Sequence, residues 1–215
     1  MKKAFSVLLL QFIVVAGFCQ TKTSNYPAGE IRSGHPAWIM QGNIYEVNVR
    51  QYTPEGTLNA FAKHLDRLKS MGVQTIWFMP INPISKVDRK GSLGSYYAVS
   101  DYTALNPEFG TLQDFKQVVK SIHKKGMKVI IDWVPNHTGG DNRWLTEQPD
   151  FFVKDSTGKA AMAVDWSDTR QLDYKNMVMQ DSMIAAMKYW LTTTNIDGFR
   201  CDVAWNVPGA FWVKC

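Results

Sequence analysis

The chain has 215 residues, 45% hydrophobic and 20% charged, with 15 Gly and 9 Pro, a mix that excludes a disordered, collagenous or coiled-coil protein. Its formal charge is +5, and removing residues 1–19, which hold two Lys and no acid, lowers it to +3. The Lys residues are spread along the chain, and the densest group, Lys124, Lys125 and Lys128, falls at an expected helix end, so no nucleic-acid surface is indicated. An aromatic share of 13% is common where sugar rings or bases are stacked, and equally where aromatics fill a core.

Lys2 and Lys3 precede an apolar stretch from Val7 to Ala16, and Gly17 and Cys19 supply the small residues of a cleavage site. Residues 1–19 therefore read as a secretory signal peptide, and the protein as exported, periplasmic or extracellular. The apolar run is too short to span a bilayer, so no transmembrane span is expected. A lipid anchor on Cys19 is the weaker alternative, because bulky Phe18 precedes it. Past this segment only Cys201 and Cys215 remain, neither in a CxxC pair, so no disulfide framework or metal site of that type is supported.

After a polar lead segment over 20–42, strand and helix signals alternate. Ile44–Val49 alternates apolar and polar residues as a strand does. Leu58, Phe61, Ala62, Leu65 and Leu68 recur at helical spacing, with Thr57 as N-cap and Gly72 beyond the end. Val73–Met79 is a continuous apolar strand, expected where both faces are buried. Leu112, Phe115, Val118, Val119 and Ile122 mark a second helix between Thr111 and Gly126, and Met127–Val134 is the next buried strand. A third helix runs over Met177–Leu191, and Ile196–Val203 is the fourth strand.

This alternation predicts parallel strands with helical crossovers, in either a barrel or a doubly wound sheet. A nucleotide-binding open sheet wants a glycine-rich turn after its first strand, and Arg50–Gly56 has one Gly only, so the α/β barrel of TIM type is preferred. The two long connections, 80–110 and 135–176, each follow a strand and precede a helix. Both lie at the carboxyl ends of the strands, where such folds build their sites.

Two strand ends carry the chemistry, Asp132-Trp133-Val134-Pro135-Asn136-His137 and Gly198-Phe199-Arg200-Cys201-Asp202-Val203. Strand alternation puts Arg200 and Asp202 on one face, toward the barrel mouth, and Phe199, Cys201 and Val203 on the other, under the helices. A guanidinium two residues from a carboxylate favours the charged form that a nucleophile needs. Any one of these residues reads as readily as a structural ion pair or a loop cap.

The two segments resemble the first and second conserved stretches of the α-amylase superfamily of retaining glycoside hydrolases, with their Asp-x-x-x-Asn-His and Gly-Phe-Arg-x-Asp patterns. The loops add matches: Gly94–Tyr102 and Asn106–Thr111 resemble the family's stretch after strand two, and Gln171-Leu172-Asp173-Tyr174 its short motif late in the loop after strand three. The likeness runs from about Asn43 to Val203 in the family's order.

The resemblance implies a retaining α-glucan hydrolase acting on starch or maltodextrin-type oligosaccharides or polysaccharides. Asp202 would be the nucleophile and Arg200 the group that fixes it. Tyr97 would stack on the sugar ring, His137 would bond a hydroxyl beside the scissile bond, and Asp132 would support the site. Asn136 stands at a position that in many members binds a structural calcium, which makes calcium the one implied cofactor. Trp205 and Asn206 depart from a Lys-His pair that in many α-amylases serves leaving-group sugars and that ion. In the family a carboxylic acid at the end of the fifth strand, about 5 to 5.5 Å from the nucleophile, protonates the leaving oxygen. Residues 43–215 therefore resemble the amino-terminal half of the barrel, with 135–176 as a loop subdomain, and the chain alone is expected to be inactive. The rival reading is a non-catalytic homologue that binds carbohydrate or a protein partner.

Overall fold

The computed structural model describes residues 30–40 and 42–215. The expected signal peptide, Cys19 included, lies outside the described residues. The chain divides into two units, Met1–Gln41 and Gly42–Cys215. The described part of the first holds a short antiparallel hairpin, Ile31–Arg32 with His35–Pro36, and a 3-10 turn over Ala37–Ile39.

The second unit is built on four parallel strands, β1 (Ile44–Val47), β2 (Thr75–Phe78), β3 (Lys128–Trp133) and β4 (Gly198–Cys201), hydrogen-bonded in the order β1-β2-β3-β4. Each strand pairs with the next in sequence, with no reversal of direction along the sheet. That is barrel winding; a doubly wound sheet would change direction at a switch point. All four strands are shorter than the apolar runs that predicted them. Val49–Tyr52 leaves the first as a helical turn, and Asp202 and Val203 leave the fourth as a turn.

The helices follow their caps. Thr57 accepts from the Ala60 amide and opens α1 (Leu58–Ala62). The single helix expected from Leu58 to Leu68 is broken after Ala62, where the Lys63 and His64 amides close short turns onto Ala60 and Phe61 before α2 (Leu65–Ser70) begins. Thr111 and Asp114 form a reciprocal capping box on α3 (Leu112–Lys124), whose Phe115, Val118, Val119 and Ile122 are buried. Asn176 caps α4 (Met177–Thr194), which runs three residues past its expected end to Asn195 in the left-handed region. Gly209–Lys214 forms α5. No helix among the described residues is long and apolar enough to cross a membrane.

Side-chain alternation sorts the sheet into two faces. Ile76, Phe78, Val129, Ile131 and Trp133 are nearly or fully enclosed under the helices. An edge-to-face series, Tyr52 to Phe61 to Phe78 to Phe115 to Trp190, carries that layer from α1 through β2 to α4. The opposite face presents Trp77, Ile130, Asp132 and Arg200, and the register sets Asp132 directly across from Arg200.

The loops after β2 and β3 are laced together above the strand ends. Gly139 N–H donates to Val99 O at 2.8 Å, Lys86 N–H to Asp141 Oδ2 at 2.8 Å, and Asn142 Nδ2 to Val99 O at 3.0 Å. Only glycine fits at 139, because a Cβ there would stand 2.4 Å from Ser85 Cβ and 2.7 Å from Ala98 O. Within the second loop His137–Gly139 pairs antiparallel with Thr169–Gln171.

Candidate active site

One guanidinium organises the carboxyl ends of β3 and β4. Arg200 Nη1 donates to Asp202 Oδ1 at 2.7 Å and reaches Asp132 Oδ1 and Oδ2 at 3.1 and 3.3 Å. The ring of Trp77 lies beneath it, 5.0 Å from the guanidinium carbon. The Asp202 amide donates to Trp133 O at 2.7 Å, which ties the turn bearing that carboxylate to the end of β3.

The two aspartates are placed differently. Asp132 is fully enclosed, receives the Tyr97 hydroxyl at 3.2 Å, and is pushed up to about 6 by burial, against the opposing pull of Arg200. Asp202 lines a cleft of about 360 Å³ together with Tyr97, His137 and Val203. The Tyr97 hydroxyl is held well above the usual phenol range, first by desolvation and then by Asp132, so it stays protonated and donates.

Val203 corrects the strand-alternation reading. It was expected under the helices with Phe199, but the strand ends at Cys201 and Val203 takes φ 47°, which turns it to the cleft beside Asp202. A left-handed conformation is strained for a β-branched residue. Cys201 stays in the strand, and burial first of all pushes its thiol up to about 12, which leaves it a poor nucleophile.

His137 is 2% exposed, and burial brings its imidazole down to about 4, against the opposing fields of Asp202 and Asp168, so the ring is neutral near pH 7. The Trp166 ring meets it edge-on at 5.2 Å. Tyr102, fully buried, fixes the turn that carries His137 by donating to the carbonyls of Val134 and His137, both at 2.7 Å.

Sequence reasoning missed several residues of the cleft wall, among them Lys90, Trp166 and Asp168. Lys90 Nζ lies 3.3 Å from Asp168 Oδ1, which joins the loops after β2 and β3 across the cleft lining. These residues stand in irregular loops, where no periodicity marks which side chains turn inward.

The donor set around Asn136 does not fit a calcium ion. Its Oδ1 already accepts from Gln171 Nε2 at 3.3 Å and Asn206 Nδ2 at 2.9 Å, so two N–H groups point where a cation would sit. Calcium takes six to eight oxygens, and here the amide oxygen is met by two N–H donors instead.

The family model "Alpha amylase, catalytic domain" matches residues 12–170, which include Tyr97, Asp132, Asn136 and His137. The chain is 29% identical over 197 residues to "Alpha-amylase 3" of Dictyoglomus thermophilum, covering 79% of this chain and 38% of that protein. Among solved structures, an alpha-amylase from Lactobacillus plantarum is 43% identical with a TM-score of 0.78, over 80% of this chain and 41% of its own. The maltogenic alpha-amylase AmyB from Thermotoga neapolitana is 40% identical with a TM-score of 0.75, again over 80% and 41%. The chain thus spans about two-fifths of the length of these relatives. With four sequentially wound parallel strands, a guanidinium shared by two carboxylates at their carboxyl ends, and a family match over most of its length, the chain belongs to the alpha-amylase family.

Proposed function

We infer that this chain contributes the nucleophile half of a retaining α-glucosidic hydrolase. The observation that carries the reading is the pairing of Asp202 with Arg200 at 2.7 Å on the wall of a cleft also lined by Tyr97 and His137. Asp202 attacks the anomeric carbon and forms a covalent glycosyl-enzyme, which water then hydrolyses. Arg200 holds the carboxylate in place. Tyr97 packs on the apolar face of the sugar, and His137, neutral, hydrogen-bonds a ring hydroxyl. Asp132 lies behind both, fixing the Arg200 and Tyr97 side chains.

The acid that protonates the leaving oxygen is a separate carboxyl group. Asp132 does not suit that role, since it is fully enclosed against the same guanidinium that holds Asp202. We assign the acid to a part of the catalytic domain outside these 215 residues, with residues 43–215 as the first half of a (β/α)8 barrel and 135–176 as its loop subdomain. On this reading the 215-residue chain alone is inactive. The substrate class is a starch or maltodextrin-type α-glucan, and residues 1–19 direct export.

The test is trapping. In the full-length protein, a 2-fluoro glucosyl fluoride is expected to label Asp202, identified by peptide mass spectrometry, and Asp202→Asn to abolish both labelling and release of reducing sugar from maltodextrin. A wild-type protein that binds maltodextrin but neither labels nor hydrolyses would favour the non-catalytic homologue instead.

A further inference from the structure

Around Asn136 the hydrogen bonds determine one another. Gln171 Nε2 lies 3.0 Å from the Asn136 backbone carbonyl and 3.3 Å from that of Leu172, and two carbonyl acceptors require this end of the amide to be its NH2. Its contact with Asn136 Oδ1 then makes that atom the acceptor, a direction that Asn206 Nδ2 reinforces by donating to the same oxygen. The other end of the Asn136 amide can only donate, and it stands 3.1 Å from His137 Nδ1. That ring nitrogen must offer its lone pair, so the proton of the neutral ring sits on Nε2.

We propose that Gln171 is a positioning residue which, through Asn136 and with the support of Asn206, holds His137 as the Nε2–H tautomer and ties the turn after β3 to the turn after β4 without a divalent cation. Gln171 ends the loop hairpin after β3, and Asn206 belongs to the 3-10 turn Ala204–Asn206 just past Asp202. The clamp therefore spans the ends of the two strands that carry Asp132, Arg200 and Asp202. Its consequence for catalysis rests on the glycosidase reading: the Nε2–H form offers a donor to the Tyr97 backbone or to a sugar hydroxyl, and the opposite tautomer would present a lone pair there.

The experiment uses the full-length protein with 15N-labelled histidine. Long-range 1H–15N correlations are expected to show His137 as the Nε2–H form. In Gln171→Glu the donor becomes an acceptor, the Asn136 and Asn206 amides turn over together so that Asn136 Nδ2 faces it and Asn136 Oδ1 faces the ring, and His137 changes to the Nδ1–H form. A wild-type ring protonated on Nδ1, or an unchanged tautomer in a folded Gln171→Glu protein, overturns the proposal. A thermal melt decides the second part even if that variant does not fold. Wild type is expected to melt at the same temperature in EDTA and in millimolar calcium, whereas a cation held in this clamp well above its Kd would raise Tm by about 5 °C or more. These readouts do not depend on turnover, so an inactive protein with the Nε2–H ring would defeat the glycosidase reading and leave the clamp standing.

Discussion

Two aspartates bracket β4, and they are used in opposite ways. At its amino end Asp197 is engaged on both oxygens: Lys128 Nζ donates to Oδ1 at 2.7 Å, Val129 N–H to Oδ2 at 2.9 Å, and His123 Nε2 meets Oδ2 at 2.7 Å. At its carboxyl end Asp202 has only Oδ1 held, by a guanidinium it shares with Asp132, and Oδ2 has no hydrogen-bond partner among the described residues. Asp197 joins α3, β3 and β4 across the foot of the sheet. Asp202 faces the cleft with an oxygen to spare. On the proposed function, the difference between a fastening and a reactive group here is how many acceptor sites the protein itself satisfies.

The sharpest way to break this comparison is to substitute both ends. Asp202→Asn is expected to lower kcat on maltodextrin in the full-length protein by on the order of 10⁴-fold, with an unchanged melting temperature. A variant that melts far below wild type would show that Asp202 is structural as well. Asp197→Ala should do the reverse. It leaves His123 and Lys128 without their shared carboxylate and destabilises by about 2 kcal/mol, read from the denaturant midpoint, with kcat per folded molecule unchanged.

A smaller effect calibrates the second result. Thr111→Ala removes the capping box of α3, the helix that carries His123, and is expected to destabilise by about 1 kcal/mol without touching the cleft. If Asp197→Ala proves no worse than this cap deletion, the cluster at the foot of the sheet is only a surface ion pair.

The last comparison concerns pH, where the wild type is expected to show the smallest net change. Asp132 sits at about 6 in the fold against 3.8 in the open chain, so the folded state keeps a proton that the unfolded chain releases, and its contribution falls as pH rises from about 4 to 6. His137 sits at about 4 against 6.5, so the unfolded chain takes up the proton first, and its contribution is lost as pH falls from 6.5 to about 4. The two slopes oppose each other in one window, and wild-type stability should be nearly flat there. His137→Gln removes one of them, and the denaturant midpoint of that variant is expected to fall as pH rises through 4 to 6. A midpoint that still does not move would mean that Asp132 is not held up by burial.

The elements most legible in the sequence were those set by local rules. Thr57 and Thr111 cap helices wherever the chain folds, because a short polar side chain meets its own next turn. The apolar runs at Val73–Met79 and Met127–Val134 read as doubly covered strands, although their lengths were overstated because apolar residues continue into the turns beyond them. The break between α1 and α2 was invisible, since the apolar spacing passes through Lys63 and His64 without a Gly or Pro.

Sequence by itself determined the alternation of strands and helices, the placement of Arg200 two residues before Asp202, and the motif likeness that brought Tyr97, Asp132, Asn136 and His137 into one argument. Spacing along a strand fixes which neighbours share a face, so these were within its reach. Only the tertiary structure decided that one Arg200 nitrogen serves both Asp132 and Asp202, that Val203 turns to the cleft, that Lys90, Trp166 and Asp168 complete its wall, and that amide groups surround Asn136 Oδ1. These depend on register between strands and on how loops of about thirty and about forty residues close over the sheet, distances set by packing between segments far apart in the chain and therefore unwritten in any local pattern.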